Sequence, residues 1–319
     1  MELEFLEGQV REPDQQAALL VGCYYFRAIA KAWREWGRRW EGEQTGLTGC
    51  HGNRGKAFTI SDAADGGTVA GFVLKSMTDI EITEPRLGLC GWNGSQRAYF
   101  ADFDCIEIQS TFYDPPALAV ARKWRAAAPS GFQFCIKAWQ LITHTAASPT
   151  YRRLRSPIAA KERDLVGSFR QTDQVWQAWH RTLEIARVLE ARVILFQCPK
   201  SFHPTSENLI NFSAFFRRVE RDGFRLAWEP RGETWTENIV RELCVEYGLI
   251  HCVDPFESLS VHGEIRYWRL HGRGSYSYRY TDADLIALRH MLSKRPLPGY
   301  LMFNNFSSKA DALRFRELF

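Results

Sequence analysis

Between Arg86 and Phe319, eight short apolar runs alternate with stretches of helical periodicity. No other feature constrains the fold as tightly. The runs are 86–90, 105–108, 132–136, 193–197, 225–228, 249–253, 267–270 and 300–303. Runs of this length, separated by helices, are the signature of parallel strands joined by crossovers. Helix boundaries fall between them. Pro115 and Pro116 open a helix that ends before Pro129, proline being tolerated where the N–H would be unpaired anyway. From Asp173 onward, Val175, Trp176, Trp179, Leu183, Ala186 and Leu189 form one apolar face. Thr205 opens another helix. Thr234 with Glu237, and Thr281 with Asp284, read as capping boxes, and Gly248 suits a left-handed C-terminal cap. Ser307 starts a last helix. The link after Cys90 is short, and the link after Val253 shows no helical pattern.

Eight strands alternating with helices over 86–319 predict an α/β fold of (β/α)8 TIM-barrel type, for which about 250 residues is typical. An open doubly wound sheet is the competing fold. It calls for a glycine-rich dinucleotide turn after the first strand, and G-L-C-G-W-N-G at 88–94 is not that fingerprint. The first 85 residues read as an appended N-terminal extension. A helix is expected over 14–40, with Leu20, Tyr24, Trp33, Trp36 and Trp40 on one stripe. A glycine-rich loop over 42–55 follows, then a hairpin around Asp65-Gly66-Gly67. No chemistry is visible in this extension.

Composition narrows the class. With 45% apolar and 24% charged residues the chain is globular rather than disordered. It has no run of apolar residues long enough to span a membrane. The first thirteen residues carry four Glu and no basic cluster, so no secretory signal is expected. None of the eight cysteines forms a C-x-x-C pair, which excludes a zinc ribbon or thioredoxin-type motif. A cytoplasmic protein with free thiols is the expectation. The net charge of +4 does not by itself argue for nucleic acid.

In a barrel of this kind, reactive groups gather at the C-terminal ends of the strands. Here those ends hold Trp92, Glu107, Lys137, Gln197, Glu229 with Arg231, Asp254, His271 with Arg273, and Asn304 with Asn305. Burying so many polar groups is costly unless they face one another and a ligand. The alternative is that Glu107 and Glu229 simply pair with Lys137, Arg231 and Arg273 to close the mouth. Cys105, Cys135 and Cys252 stand two residues before Glu107, Lys137 and Asp254, so they share the inward face one layer below. Ala227 holds the same place under Glu229, which favours small apolar filler over metal ligands. The loop 145–172 carries six basic residues against two acidic ones, and 275–280 interleaves tyrosine with serine and arginine. Either can contact phosphate or bases, or be ordinary surface and rim. His144 and His271 are candidate acids, bases or ligands.

The blocks G-L-C-G-W (88–92), E-I-Q-S-T-F-Y (107–113), F-C-I-K-A-W-Q-L-I-T-H (134–144), F-Q-C-P-K-S-F (196–202), W-E-P-R-G-E-T-W (228–235), W-R-L-H-G-R (268–273) and M-F-N-N (302–305) resemble, in order, the DUF72 family of YecE-like proteins. The family pattern has Asn where Gln109 stands, and a histidine within the block at 230–235 that this chain lacks. The resemblance implies a TIM barrel akin to endonuclease IV and xylose isomerase. It implies that Glu107, Tyr113, Lys137, His144, Gln197, Glu229, Arg231, His271, Arg273, Asn304 and Asn305 belong to the site. Three readings follow. The first is an enzyme acting on a phosphate-containing substrate such as nucleic acid. In it Glu107 or Glu229 is general base, Lys137, Arg231 and Arg273 hold phosphate, and His144 or His271 is the acid. One divalent cation at Glu107, Glu229 or Asp254 is compatible with it. The second is a non-catalytic binder of nucleic acid or a phosphometabolite. The third is a sugar-type isomerase or lyase using Glu107 and Lys137.

Overall fold

The computed structural model describes residues 84–294 and 296–318. The helix expected over 14–40 and the hairpin around Asp65–Gly67 lie outside the described residues. The elements run β1 (Arg86–Cys90), α1 (Gln96–Asp102), β2 (Cys105–Ile108), α2 (Ser110–Tyr113), α3 (Leu118–Ala127), β3 (Gln133–Lys137) and α4 (Gln140–Thr143). Two 3₁₀ turns follow, Pro149–Arg153 and Ala160–Leu165. Then come α5 (Asp173–Leu189), β4 (Val193–Gln197), α6 (Ser206–Arg218), β5 (Arg225–Glu229), α7 (Glu237–Glu246), β6 (Ile250–His251), β7 (Arg266–Leu270), α8 (Asp282–Lys294), β8 (Gly299–Phe303) and α9 (Ser308–Glu317).

All strand pairs are parallel, in the order β6-β5-β4-β3-β2-β1-β8-β7. The remaining seam, between β6 and β7, is closed by a bridge from Val253 to Trp268, with the Arg269 amide donating to the Val253 carbonyl at 2.9 Å. The fold is therefore the eight-stranded α/β barrel that the alternating pattern predicts. As the sequence implies, no helix forms between β6 and β7. No described helix is long and apolar enough to cross a membrane.

Local chemistry explains the boundaries. In α5, Thr172 caps the Val175 amide, and Val175, Trp179, Leu183, Ala186 and Leu189 are buried against the sheet. Thr281 and Asp284 form the reciprocal box: the Asp284 amide donates to Thr281 Oγ1 at 3.2 Å and the Thr281 amide to Asp284 Oδ2 at 2.9 Å. Two boundaries differ from the sequence reading. The cap of α7 is Thr236, whose hydroxyl accepts from the Ile239 amide, while Thr234 instead contacts His203 Nδ1 at 3.1 Å. Pro115 and Pro116 precede α3 rather than occupying its first turn, because the extended residue that caps the helix is Ala117.

Strand alternation divides the core in two. Residues such as Ile106, Ile136, Phe196, Trp228 and Leu270 point outward into a large cluster with the helices. Cys105, Cys135, Val193, Leu195, Ala227, Cys252, Tyr267, Tyr300 and Met302 point inward and fill the barrel. The described cysteines are free thiols. Burial pushes the Cys105, Cys135 and Cys252 thiols well above their usual range, so they behave as small apolar filler. β1 can lie this close to β2 because position 88 is glycine: a Cβ there would stand 2.4 Å from the Cys105 carbonyl oxygen. This plugged interior is the floor on which the polar mouth rests.

Candidate active site at the barrel mouth

The next inward layer is ionic. Tyr267, Arg269 and His271 share one face of β7 and its continuation, since side chains at i and i+2 point the same way. Arg269 grips Glu107 through both oxygens, Nε to Oε2 at 3.0 Å and Nη2 to Oε1 at 2.9 Å. Its remaining nitrogen, Nη1, reaches Glu229 Oε2 at 2.5 Å. Glu107 also accepts from Tyr267 Oη at 2.9 Å and Gln109 Nε2 at 2.7 Å, so four donors converge on its two oxygens. Glu229 Oε1 accepts from Arg231 Nε at 3.0 Å and Nη2 at 2.7 Å. Burial opposes ionisation of Glu229, but the charges of Arg269 and Arg231 outweigh it and hold the carboxyl well below the usual carboxylate range. Arg269 is itself fully buried, and burial of its charge is outweighed by the two carboxylates, which raise its pKa. Such a cluster is tolerable only because every charge is paired.

His271 completes this side. Arg231 Nη2 lies 3.0 Å from its Nε2, and Arg269 Nη1 lies 3.2 Å from the same atom. A guanidinium can only donate, so Nε2 is an acceptor and the ring proton sits on Nδ1, 3.4 Å from Asp254 Oδ2. The Asp254 carboxylate also accepts the His271 amide at 2.8 Å and the Phe256 amide at 3.0 Å.

Lys137 is set apart. It is 3% exposed, yet it forms no ion pair with a described carboxylate. Its Nζ donates to Gln197 Oε1 at 2.6 Å and stands 3.7 Å from the centroid of the Phe112 ring. Gln197 is oriented by its own Nε2, which donates to the Cys198 carbonyl at 3.0 Å and leaves Oε1 toward the lysine. Burial and the positive charges of Arg269 and Arg231, only partly offset by Glu229 and Glu107, push the ammonium down to about 7. His144 packs edge-on to the same Phe112 ring at 4.9 Å, and its Nδ1 lies 2.8 Å from Thr143 Oγ1. Burial, with Lys137 and Arg231 nearby, lowers its pKa to about 3 and keeps it neutral.

Beside the ionic cluster opens a cleft of about 640 Å³, within the range of small-molecule sites. Glu229, Arg231, His251, Asp254 and His271 line it, with Lys200 and Tyr276 on its rim. Arg231 spends Nε and Nη2 on Glu229 and His271, which leaves Nη1 for a ligand. His251 accepts the Val261 amide at Nδ1, 3.2 Å away, so its neutral ring carries the proton on Nε2. Burial lowers its pKa to about 4. Tyr276 stands edge-on to His271 at 5.6 Å and is substantially exposed.

Thus Glu107, Lys137, Gln197, Glu229, Arg231, Asp254 and His271 meet at one mouth, and His144 adjoins them. Arg273, Asn305 and Trp92 do not. Arg273 turns outward to Asp284 Oδ1 at 2.7 Å. Asn305 is a structural clamp, its Nδ2 donating to the Tyr278 carbonyl and to Asp311 Oδ2. Asn304 bonds β7 through its amide, which donates to the Leu270 carbonyl at 2.8 Å. Trp92 packs among Tyr99, Phe100 and Trp124 outside the barrel. Tyr113 lies under the Arg153 guanidinium, 3.6 Å from its centroid. Sequence reasoning missed Arg269, Tyr267, Gln109 and His251. Arg269 and Tyr267 were findable, because they precede His271 by two and four residues on the same strand face. Among the described residues, no group of three or more His, Cys, Asp or Glu is placed to hold a metal ion. The oxygens of Glu107 and Glu229 are committed to arginine.

Comparison with known proteins gives a family and a fold. The model of the family described as "Protein of unknown function DUF72" matches residues 93–319. Among solved structures, a DUF72 family protein from Enterococcus faecalis is 18% identical with a TM-score of 0.55, covering 74% of this chain and 97% of that one. A DUF72 family protein from Thermotoga maritima is also 18% identical, with a TM-score of 0.54 over 73% of this chain and 98% of that one. Endonuclease IV from Thermus thermophilus is 14% identical with a TM-score of 0.42, over 73% of this chain and 98% of that one, a likeness too slight to carry an argument about activity. No curated protein matches the chain.

Proposed function

The chain belongs to the DUF72 family, and from the geometry of its barrel mouth we propose that it is an enzyme for a small phosphate-bearing substrate, with the Lys137 amine as the reacting group. The observation that carries this reading is the environment of Lys137. A buried lysine without a carboxylate partner is an expensive residue to keep for stability alone. Burial and the neighbouring charges of Arg269 and Arg231 favour the uncharged amine. As –NH2 it has two N–H groups, which match Gln197 Oε1 and the Phe112 face, and one lone pair left over. As –NH3⁺ it has a third N–H with no described acceptor. An amine poised near neutrality serves as base or nucleophile.

Beside the Glu233, Glu237 and Glu257 carboxylates that also line it, the cleft offers an anion Arg231 Nη1, the His251 Nε2–H and the Lys200 ammonium on the rim. Glu107 is the weaker candidate base, since four donors already occupy its oxygens. The test is binding of inorganic phosphate, small sugar phosphates and short oligonucleotides to the wild-type chain and to Arg231→Gln, followed by intrinsic tryptophan fluorescence. Saturable binding of phosphate compounds that weakens with salt and falls at least tenfold in Arg231→Gln is expected. Equal affinity of the two proteins would overturn the reading. Preference for oligonucleotides over small phosphates would shift the substrate to nucleic acid.

A further inference from the structure

We infer that the cleft takes a small ligand carrying a protonated amine as well as a phosphate, of the amino-alcohol or amino-sugar phosphate class. This deepens the reading above. It rests on the anion position at Arg231 and not on the chemistry of Lys137. The lining of the cleft carries two cations, Lys200 and Arg231, and five carboxylates, Glu229, Glu233, Glu237, Asp254 and Glu257. Arginine matches two of the five: Arg231 and Arg269 pair with Glu229, and Arg241 pairs with Glu237 across one turn of α7. Asp254 spends its oxygens on the His271 and Phe256 amides and the His271 ring. Among the described residues, neither Glu233 nor Glu257 has an ion-pair partner. A phosphate on its own therefore enters a cleft of net negative charge, where like charges repel. A ligand that brings its own ammonium offsets that repulsion and leaves Arg231 to hold the phosphate.

The two unpaired carboxylates come from different loops around one opening. Glu233 follows Arg231 by two residues in the loop after β5. Glu257 stands in the turn after β6, where its amide donates to the Asp254 carbonyl at 3.0 Å. No helix follows β6 to cover this side, so the cleft continues outward from the mouth, past the strand end, to Val240 and Val261. Ile250 and Cys252 point into the barrel, so His251 between them points out of it and lines this outer part. His251 is 7% exposed, and its Nδ1 is taken by the Val261 amide at 3.2 Å. That leaves the Nε2–H edge toward the cleft, without a described partner. A donor kept this deeply buried and unpaired calls for an acceptor on a ligand. A phosphate oxygen or a hydroxyl of the proposed class supplies one. Val253 and Val261 give the carbon skeleton an apolar wall.

The experiment is isothermal titration of matched ligands into the full chain at pH 6.5. Glucosamine 6-phosphate is compared with glucose 6-phosphate, and phosphoethanolamine with ethyl phosphate. The amine compound of each pair is expected to bind about tenfold tighter. N-Acetylglucosamine 6-phosphate, which lacks the positive charge, should bind no better than glucose 6-phosphate. The preference should fall about fivefold in the double variant Glu233→Gln/Glu257→Gln, whose affinity for inorganic phosphate should rise. A merely structural role for two exposed carboxylates would not produce that rise. All affinities should drop in Arg231→Gln. Equal binding within each pair, or a preference unchanged in the double variant, would overturn the inference. If all these phosphates bind alike and still depend on Arg231, the amine position fails and the anion site stands. If none binds, or Arg231→Gln changes nothing, both fail.

Discussion

Arg269 and Glu107 face each other at the centre of the barrel, joined by two parallel hydrogen bonds of 3.0 and 2.9 Å and almost wholly removed from solvent. Neither residue is free to be a conventional catalytic group. Their role is to hold the floor of the mouth, with Glu229 hung from the third guanidinium nitrogen. Breaking one partner of such a buried pair leaves the other charge stranded. Arg269→Met is therefore expected to cost about 3–5 kcal/mol. Adding Glu107→Gln to it should cost less than the sum of the two single changes. A double-mutant cycle by urea denaturation measures the coupling. Strict additivity would show that the pair is not a unit.

Arg273 makes the opposite case. Its side chain is 55% exposed and its partner Asp284 lies outside the mouth. Exposed ion pairs contribute about 0–1 kcal/mol. Arg273→Ala should lower stability by no more than that and leave phosphate binding unchanged, in contrast to Arg231→Gln. Isothermal titration of phosphate into both variants separates them, and a large loss in Arg273→Ala would place it in the ligand site after all.

Asn305 gives a third prediction. Its amide nitrogen ties the loop after β7, through the Tyr278 carbonyl, to the buried Asp311 of α9. Asn305→Ala leaves these acceptors short of a donor and should cost about 1–3 kcal/mol. Ligand affinity should change little. Melting temperature together with binding affinity tests this, and an unchanged melting temperature with lost binding would reverse the assignment.

Lys137 makes stability depend on pH. Its folded-state pKa, about 7, lies below the value of about 10.4 for an unfolded lysine. Between those values the unfolded chain binds the extra proton, so this group's contribution to stability rises with pH across that window. Below pH 7 the penalty for burying the charged amine is fully present. Lys137→Met should thus stabilise the fold at pH 6, by an amount that shrinks towards pH 10. Denaturation curves at pH 6, 8 and 9.5 provide the check, and a gain that grew with pH would contradict the sign.

Much of this architecture was legible in the chain. All eight strands formed with ends within one or two residues of the apolar runs, and β6 is the shortest of them. There only Ile250 and His251 pair regularly, and Val253 makes a single bridge. The alternation rule also placed Cys105, Cys135 and Cys252 under the polar layer. What did not read through was partner choice. Strand periodicity says which way a side chain points, but not which of several arginines a carboxylate selects. Arg273 was a plausible partner for Glu229 by proximity to His271, yet positive-φ glycines at Gly272 and Gly274 turn the chain outward after β7. Arg269, hidden in an otherwise apolar run, holds the place instead. His251 escaped notice because it lies inside a buried strand. Its orientation is set by the Val261 amide, which comes from a loop ten residues on.

The chemistry of the mouth depends on the protonation state of one nitrogen. A chain labelled at the lysine ε-positions with ¹³C and ¹⁵N, its Lys137 resonance assigned by loss in Lys137→Met, can be titrated by NMR across the neutral and alkaline range. An apparent pKa of about 7 for Lys137, with the exposed lysines near their ordinary values, is the predicted result. A Lys137 resonance that titrates with the others, at about 10.4, would contradict the neutral amine and remove the reacting group from the proposed site.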